Sequence, residues 1–87
     1  MTETYQLFQY DSCPFCYRVR LFLQENGINI PLRDTLRDST ARQELLAGGG
    51  RQMVPCLRIE REDGLQWLYE SRDIIRYLTA TLTQTTI

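Results

Sequence analysis

Eighty-seven residues with 43% hydrophobic content suffice for one domain with a modest core. A net charge of −1 exerts no pull on nucleic acid or on an anionic membrane, and no apolar run is long enough to span a bilayer. The chain has no His, which excludes a Cys–His or Ser–His catalytic pair and a His-ligated zinc.

All ten basic residues are Arg, for which we have no physical account. The N-terminus lacks the apolar core of a signal peptide. Three Cys is an odd number and does not suggest a framework of structural disulfides. A cytoplasmic setting is therefore expected, with the cysteines used for redox chemistry. A monomer is the default, with neither nucleic acid nor membrane as a partner.

The elements follow in chain order. Residues 5–10 read as a first strand around Leu7 and Phe8. Residues 14–26 read as a helix, with Phe15, Val19, Phe22 and Leu23 on one face. Asn26-Gly27 is a left-handed stop. Ile28 to Arg33 is a second strand, sent to a sheet edge by Pro31. Asp38 or Ser39 caps a helix over 39–47, with Ala41, Leu45 and Leu46 as its buried positions. Gly48 to Gly50 end that helix. No Gly-Lys-Ser/Thr follows them, so a helix stop and loop is expected in preference to a phosphate loop. Pro55 to Arg61 is a third strand, Asp63-Gly64 a hairpin signal, and Leu65 to Tyr69 a fourth strand, with Trp67 and Tyr69 on its core side. Ser71 caps a last helix carrying Ile74, Ile75 and Leu78, and the Thr-rich tail from Thr79 frays. One domain over 1–87 is expected, with its core at about 5–79 and a tail at 80–87.

The order is β-α-β-α-β-β-α. A strand–helix–strand unit wants a parallel pair with a right-handed crossover, and the hairpin adds an antiparallel pair. The fold class is therefore α/β, a four-stranded mixed sheet flanked by helices. That is similar to the thioredoxin-like arrangement, in which a C-x-x-C after the first strand carries the chemistry.

Here that motif is Cys13-Pro14-Phe15-Cys16. Pro14 suits the first helical position, which places Cys13 just before a helix N-terminus. The positive end of the helix and its unpaired N–H groups favour a thiolate over a thiol. Such a thiolate is both nucleophile and leaving group. A thiolate zinc site usually needs four N/S ligands, and three Cys without His do not supply them, so no metal is expected.

Four segments carry a family resemblance: Tyr10 to Cys16, Gly50-Arg51-Gln52-Met53-Val54-Pro55, Glu70-Ser71-Arg72-Asp73-Ile74, and Arg76-Tyr77-Leu78. Through them the chain resembles the glutaredoxins over about residues 5–79, in the branch similar to the N-terminal domain of glutathione transferases. The resemblance implies a glutathione-dependent thiol–disulfide oxidoreductase that serves cell redox homeostasis. Its partners would be glutathione as co-substrate and glutathionylated or disulfide-bonded proteins. It implies Cys13 as nucleophile and Cys16 as resolving thiol. Val54 and a cis Pro55 would pair with the glutathione cysteinyl backbone, Glu70 and Ser71 would hold its γ-glutamyl end, and Arg51 its glycine carboxylate. Tyr10 stands where many glutaredoxins have Lys and is a candidate substrate contact. Asp11 opposes thiolate formation. Glu70-Ser71 replaces the usual Gly-Gly and points to the transferase-like branch, whose members often carry a second, helical domain.

Plainer readings stand beside these. Ser71 serves as a helix cap, Arg51 as a solvated charge, and Cys56 as a small core residue or a neighbour of the active thiols. Arg18 or Arg20 faces the pocket, Arg20 being the weaker candidate. Two other functions stay open. One is a module holding a [2Fe–2S] cluster through Cys13 and glutathione, against which Pro14 argues. The other is a glutathione transferase relative acting on electrophiles.

Overall fold

Strand β1 (Thr4–Gln9) carries Leu7 and Phe8 side by side, and the two-residue period of a strand sends them to opposite faces. Each becomes the centre of its own core. Leu7 packs with Val19, Leu23, Leu57, Ile74 and Leu78 on one face. Phe8 packs with Ala41, Leu45, Cys56 and Tyr69 on the other. The computed structural model describes residues 3–82.

The remaining elements are α1 (Pro14–Glu25), β2 (Leu32–Asp34), α2 (Ser39–Glu44), β3 (Cys56–Arg61), β4 (Gly64–Tyr69) and α3 (Ser71–Thr81). The sheet order is β2-β1-β3-β4, with β1 and β2 parallel and the other pairs antiparallel. The expected α/β class and mixed sheet hold, with the core of α1 and α3 on one face and that of α2 on the other.

Several local expectations change. In α1 the buried stripe is Cys16, Val19 and Leu23, so Phe15, one position round the helix, is 55% exposed. Only three residues of the second strand pair with β1. Ile28 and Ile30 pack on the core from irregular chain before it. Asp38 is the cap of α2, its Oδ1 accepting from the N–H groups of Thr40 and Ala41 at 3.0 and 3.2 Å. The helix widens after Glu44 into one π-helical turn, Leu45–Gly49. Ala41 and Leu45, four residues apart, hold the buried face there, and Leu46 lies outside. The hairpin turns on Glu62-Asp63, one residue earlier than expected, with Gly64 at φ 148 already paired to Arg61. Helix α3 starts at Ser71, with Glu70 in the cap position, and continues past Thr79 to Thr81. Of the tail expected at 80–87, residues 83–87 lie outside the described residues.

One register fact positions the site. Phe8 faces Arg33 in β2 and Cys56 in β3, and Cys56 faces Tyr69 in β4. Immediately beyond this row lie the segment leading to Cys13, the Val54-Pro55 segment before β3, and Glu70-Ser71 after β4. All three gather at one end of the sheet.

The far end is closed by Glu3. Its Oε1 accepts from the hydroxyls of Tyr5 and Tyr77 at 2.6 Å each, and its Oε2 pairs with Arg61 Nε at 2.7 Å. The bonds from Tyr5, Tyr77 and Arg61, in that order, hold the carboxyl at about 2 rather than 4.5. A carboxyl depressed in the folded state binds fewer protons there than in the unfolded chain. Its stabilisation is therefore full above pH 4.5 and lost as the pH falls toward about 2. Glu3→Gln is expected to melt below wild type at neutral pH, with the gap closing across that acid window. Thermal melts at several pH values check this, and a gap independent of pH would contradict it.

Candidate active site

Cys13 occupies the N-cap of α1 with extended backbone, and Pro14 opens the helix as expected. Its Sγ accepts the Cys16 N–H at 3.3 Å, one of the amides that a helix start leaves unpaired. The sulfur thus takes the place of the oxygen that usually caps a helix start. Arg20 fixes the turn before it, donating to Gln9 Oε1 and to the carbonyls of Tyr10 and Asp11. Arg20 is therefore a brace for the Cys13 loop, and of the two arginines Arg18 is the one that lines the groove.

Cys16 is fully buried one turn along α1. Burial first, and the Cys13 sulfur second, push its thiol well above the ordinary value. Cys56 is also fully buried, on the opposite face of the sheet in the Phe8 core. Burial pushes its thiol up to about 12. Of the two readings open from sequence, the core residue is the observed one, because strand alternation turns Cys56 away from α1.

Beside the motif runs a groove of about 440 Å³. Val54, Pro55, Glu70 and Ser71 all line it, although Val54 and Ser71 are 17 positions apart in sequence. The Val54-Pro55 peptide is cis. Glu70 is the one non-glycine residue with positive φ among the described residues (φ 77, ψ 118). Such a conformation costs about 1–3 kcal/mol and collects at functional sites. Its carbonyl starts α3 by accepting the Ile74 N–H at 2.9 Å, but its carboxylate makes no cap hydrogen bond. Ser71 is the first helical residue rather than the cap. The start of α3 therefore has no side-chain cap on its amides and meets the groove with Ser71, Arg72 and Asp73. An uncapped helix start attracts a carboxylate.

A second groove of about 420 Å³ lies on the α2 side, where Tyr10, Arg42 and Gln52 face it. Met53 and Val54 line both grooves. Tyr10 therefore belongs to the second groove and not with Glu70 and Ser71. Arg51, expected at a glycine carboxylate, lines neither. Its guanidinium lies 4.5 Å over the Tyr69 ring, a cation–π partner that sequence alone does not reveal.

Residues 7–85 match the family described as glutathione S-transferase, N-terminal domain. The chain belongs to this family. Glutaredoxin 2 of Escherichia coli K12 is 29% identical over 73 residues, 84% of this chain and 32% of that protein. The crystal structure of glutaredoxin 2 from Salmonella typhimurium in complex with glutathione is 28% identical. It matches with a TM-score of 0.72, over 97% of this chain and 36% of that one. Maleylacetoacetate isomerase from Anaeromyxobacter dehalogenans, with glutathione bound in its active site, is 25% identical. It has a TM-score of 0.72 and covers 98% of this chain and 40% of that one. The chain thus spans about a third of the length of the curated relative it matches. The fold is thioredoxin-like, as the order of elements implied.

Beside the residues expected from sequence, the groove is lined by Phe15, Met53 and Tyr69. Phe15 and Met53 lie inside the motif segments, and their exposure is what the sequence does not reveal. Tyr69 read as core and is both core and groove wall. The three thiols should separate by access. Cys13 keeps 6% exposure and the other two none, so Cys13 should be alkylated first in the native protein. All three should react alike in denaturant. Peptide mapping after a timed iodoacetamide pulse measures the order, and early labelling of Cys56 would contradict the burial.

Proposed function

We propose that this domain is a glutaredoxin-type, glutathione-dependent thiol–disulfide oxidoreductase. The observation that carries the reading is the Cys13 sulfur at the start of α1, together with a groove that Phe15 of the same motif lines with Val54, Pro55, Glu70 and Ser71. Membership in a glutathione-binding family and the glutathione found in two neighbours support the ligand. The groove suits it chemically. The Val54 backbone offers strand-like pairing to a peptide. The start of α3 with Ser71 suits the γ-glutamyl carboxylate, and Glu70 its ammonium. Since Arg51 is turned away, we assign the glycine carboxylate to the second groove, where Arg42 is the lining cation.

In the reaction, the Cys13 thiolate attacks the glutathionyl sulfur of a mixed disulfide. A Cys13–glutathione disulfide forms, and the other thiol leaves as a thiolate and takes up a proton. The thiolate of a second glutathione attacks the glutathionyl sulfur, forming oxidised glutathione and returning the Cys13 thiolate. With protein disulfides, Cys13 first forms a mixed disulfide with the substrate. Cys16 then attacks the Cys13 sulfur, forming the Cys13–Cys16 disulfide and expelling the substrate's second thiolate, which takes up the proton that Cys16 gives up; two glutathiones then reduce that disulfide and leave as oxidised glutathione. A cytoplasmic setting, with the pair kept reducible, belongs to the same proposal.

The test is reduction of a small glutathione mixed disulfide, coupled to glutathione reductase. Cys13→Ser should abolish turnover, and Cys16→Ser should retain it because that cycle needs one enzyme thiol. Ser71→Ala should raise the glutathione KM about tenfold or more, in line with loss of one hydrogen bond to a charged group. An inactive wild type would refute the reading. Family membership and the second groove favour one other reading, conjugation of an electrophile to glutathione. Product formation from a model electrophile above the uncatalysed rate, with no mixed-disulfide turnover, would establish it instead.

A further inference from the structure

We propose that Tyr69 is a positioning residue that fastens the Val54 side of the ligand groove to its Glu70–Ser71 side and thereby sets the affinity for glutathione. This rests on the glutathione reading of the groove.

Tyr69 ends β4 and leads directly into Glu70 and Ser71. Its side chain points to the Phe8 face, where the segment following α2 closes around it. The Gly49 backbone lies so near the Tyr69 hydroxyl that a Cβ at position 49 would collide with it. Gly48 meets the Trp67 ring in the same way, two residues earlier on the same face. The Tyr69 hydroxyl donates to the Arg51 carbonyl at 3.1 Å, and the Arg51 guanidinium covers the ring. The glycines allow this approach, and only a residue without a side chain fits.

The segment held in this way carries Val54. Gly50, at φ 84, closes the π-helical turn with its N–H on the Leu46 carbonyl. From Arg51 to Val54 the chain is in neither helix nor strand, and Arg51 to Met53 are exposed. Among the described residues, the bond from Tyr69 is the one hydrogen bond made by the backbone of residues 51–54. Strand-like recognition of a peptide needs the Val54 backbone at a fixed place and angle, and this bond supplies the restraint. It also ties that segment to the residue before Glu70, so the two ends of the ligand meet groove walls held in one register. The role assigned to Arg51 changes accordingly. Its carbonyl serves as the anchor point, and its guanidinium covers the ring that holds it.

Tyr69→Phe keeps the ring and its stacking and removes only the hydroxyl. Tyr77→Phe is the control. It loses bonds with Glu3 and Arg61, which together exceed the one lost at Tyr69, and it lines neither groove. Arg51→Ala keeps the anchoring carbonyl. Steady-state kinetics with glutathione and a small mixed disulfide, melting temperatures, and amide hydrogen exchange at Gln52 to Val54 are measured for all three. Tyr69→Phe should raise the glutathione KM about fivefold with kcat at saturation retained, as loss of one neutral hydrogen bond implies. It should also speed exchange at Gln52 to Val54. Tyr77→Phe should lower the melting temperature with KM and exchange unmoved, and Arg51→Ala should move KM less than Tyr69→Phe. An unchanged KM or unchanged exchange in Tyr69→Phe, or an equal KM rise in Tyr77→Phe, overturns the proposal. So does a larger effect of Arg51→Ala, which would mean direct contact with the ligand. A wild type that does not turn over glutathione refutes the functional reading and the affinity clause with it. Exchange then decides separately whether Tyr69 holds the segment.

Discussion

The cross-strand row Arg33–Phe8–Cys56–Tyr69 is the constraint on which the site depends. Each strand contributes one residue to it, and each strand meets a loop just beyond it. Because β1 and β4 run one way and β3 the other, two of those loops leave the sheet where the third enters. Cys13, Val54-Pro55 and Glu70-Ser71 therefore meet without any long-range side-chain contact having to bring them together. A slip of one residue in β1–β3 would invert the faces of Leu7, Phe8, Cys56 and Leu57 and expose both cores at once, so the register is strongly held. The apolar cores that stabilise the domain are thus also what aims the site.

The two faces of the sheet divide the work. The face under α1 and α3 buries a continuous aliphatic core and seats Cys16 at its edge. This gives Cys13 a rigid helix end and keeps its neighbour in an apolar setting. The face under α2 is built from larger rings and smaller partners, with Phe8 and Trp67 tilted against each other at 5.4 Å. Because α2 is short and widens into a π-helical turn, the glycines after it can lie flat on those rings. The third cysteine falls on this second face, where it is fully buried among Phe8, Leu45 and Tyr69.

Strain and missing caps concentrate at the ligand end. Glu70 holds an unfavourable backbone conformation, and α3 begins without a side-chain cap. A domain under no functional demand would place Gly at such a φ and let Ser or Asp close the helix. Here Glu70 lines the groove without capping α3, and the first amides of the helix are left for another acceptor. Cys13 at the start of α1 follows the same logic, with a sulfur where an oxygen usually caps. Both helices direct their positive ends to one region, a setting that suits negative charge.

The sequence by itself determined what local rules govern. Proline after Cys13 fixed the start of α1, Asp38 the start of α2, and Gly27 the end of α1. The alternation in β3 and β4 marked the core, and the order of elements marked the mixed sheet. It also determined which residue types could meet a thiol and a peptide, since Cys13, Val54, Pro55, Glu70 and Ser71 sit in short motifs. Tertiary structure decided the rest, because those choices turn on which face a side chain joins and what it finds there. Phe15 looked apolar enough for the core, yet the stripe through Cys16 left it outside. Arg51 and Tyr10 lay close in sequence to groove residues, but the Tyr69 ring drew one away and the second groove took the other. Arg20 became a brace because the turn before Cys13 brought three acceptors within its reach. Charged and aromatic side chains are long and choose among partners far apart in the chain, so their roles are settled only when the sheet register places those partners side by side.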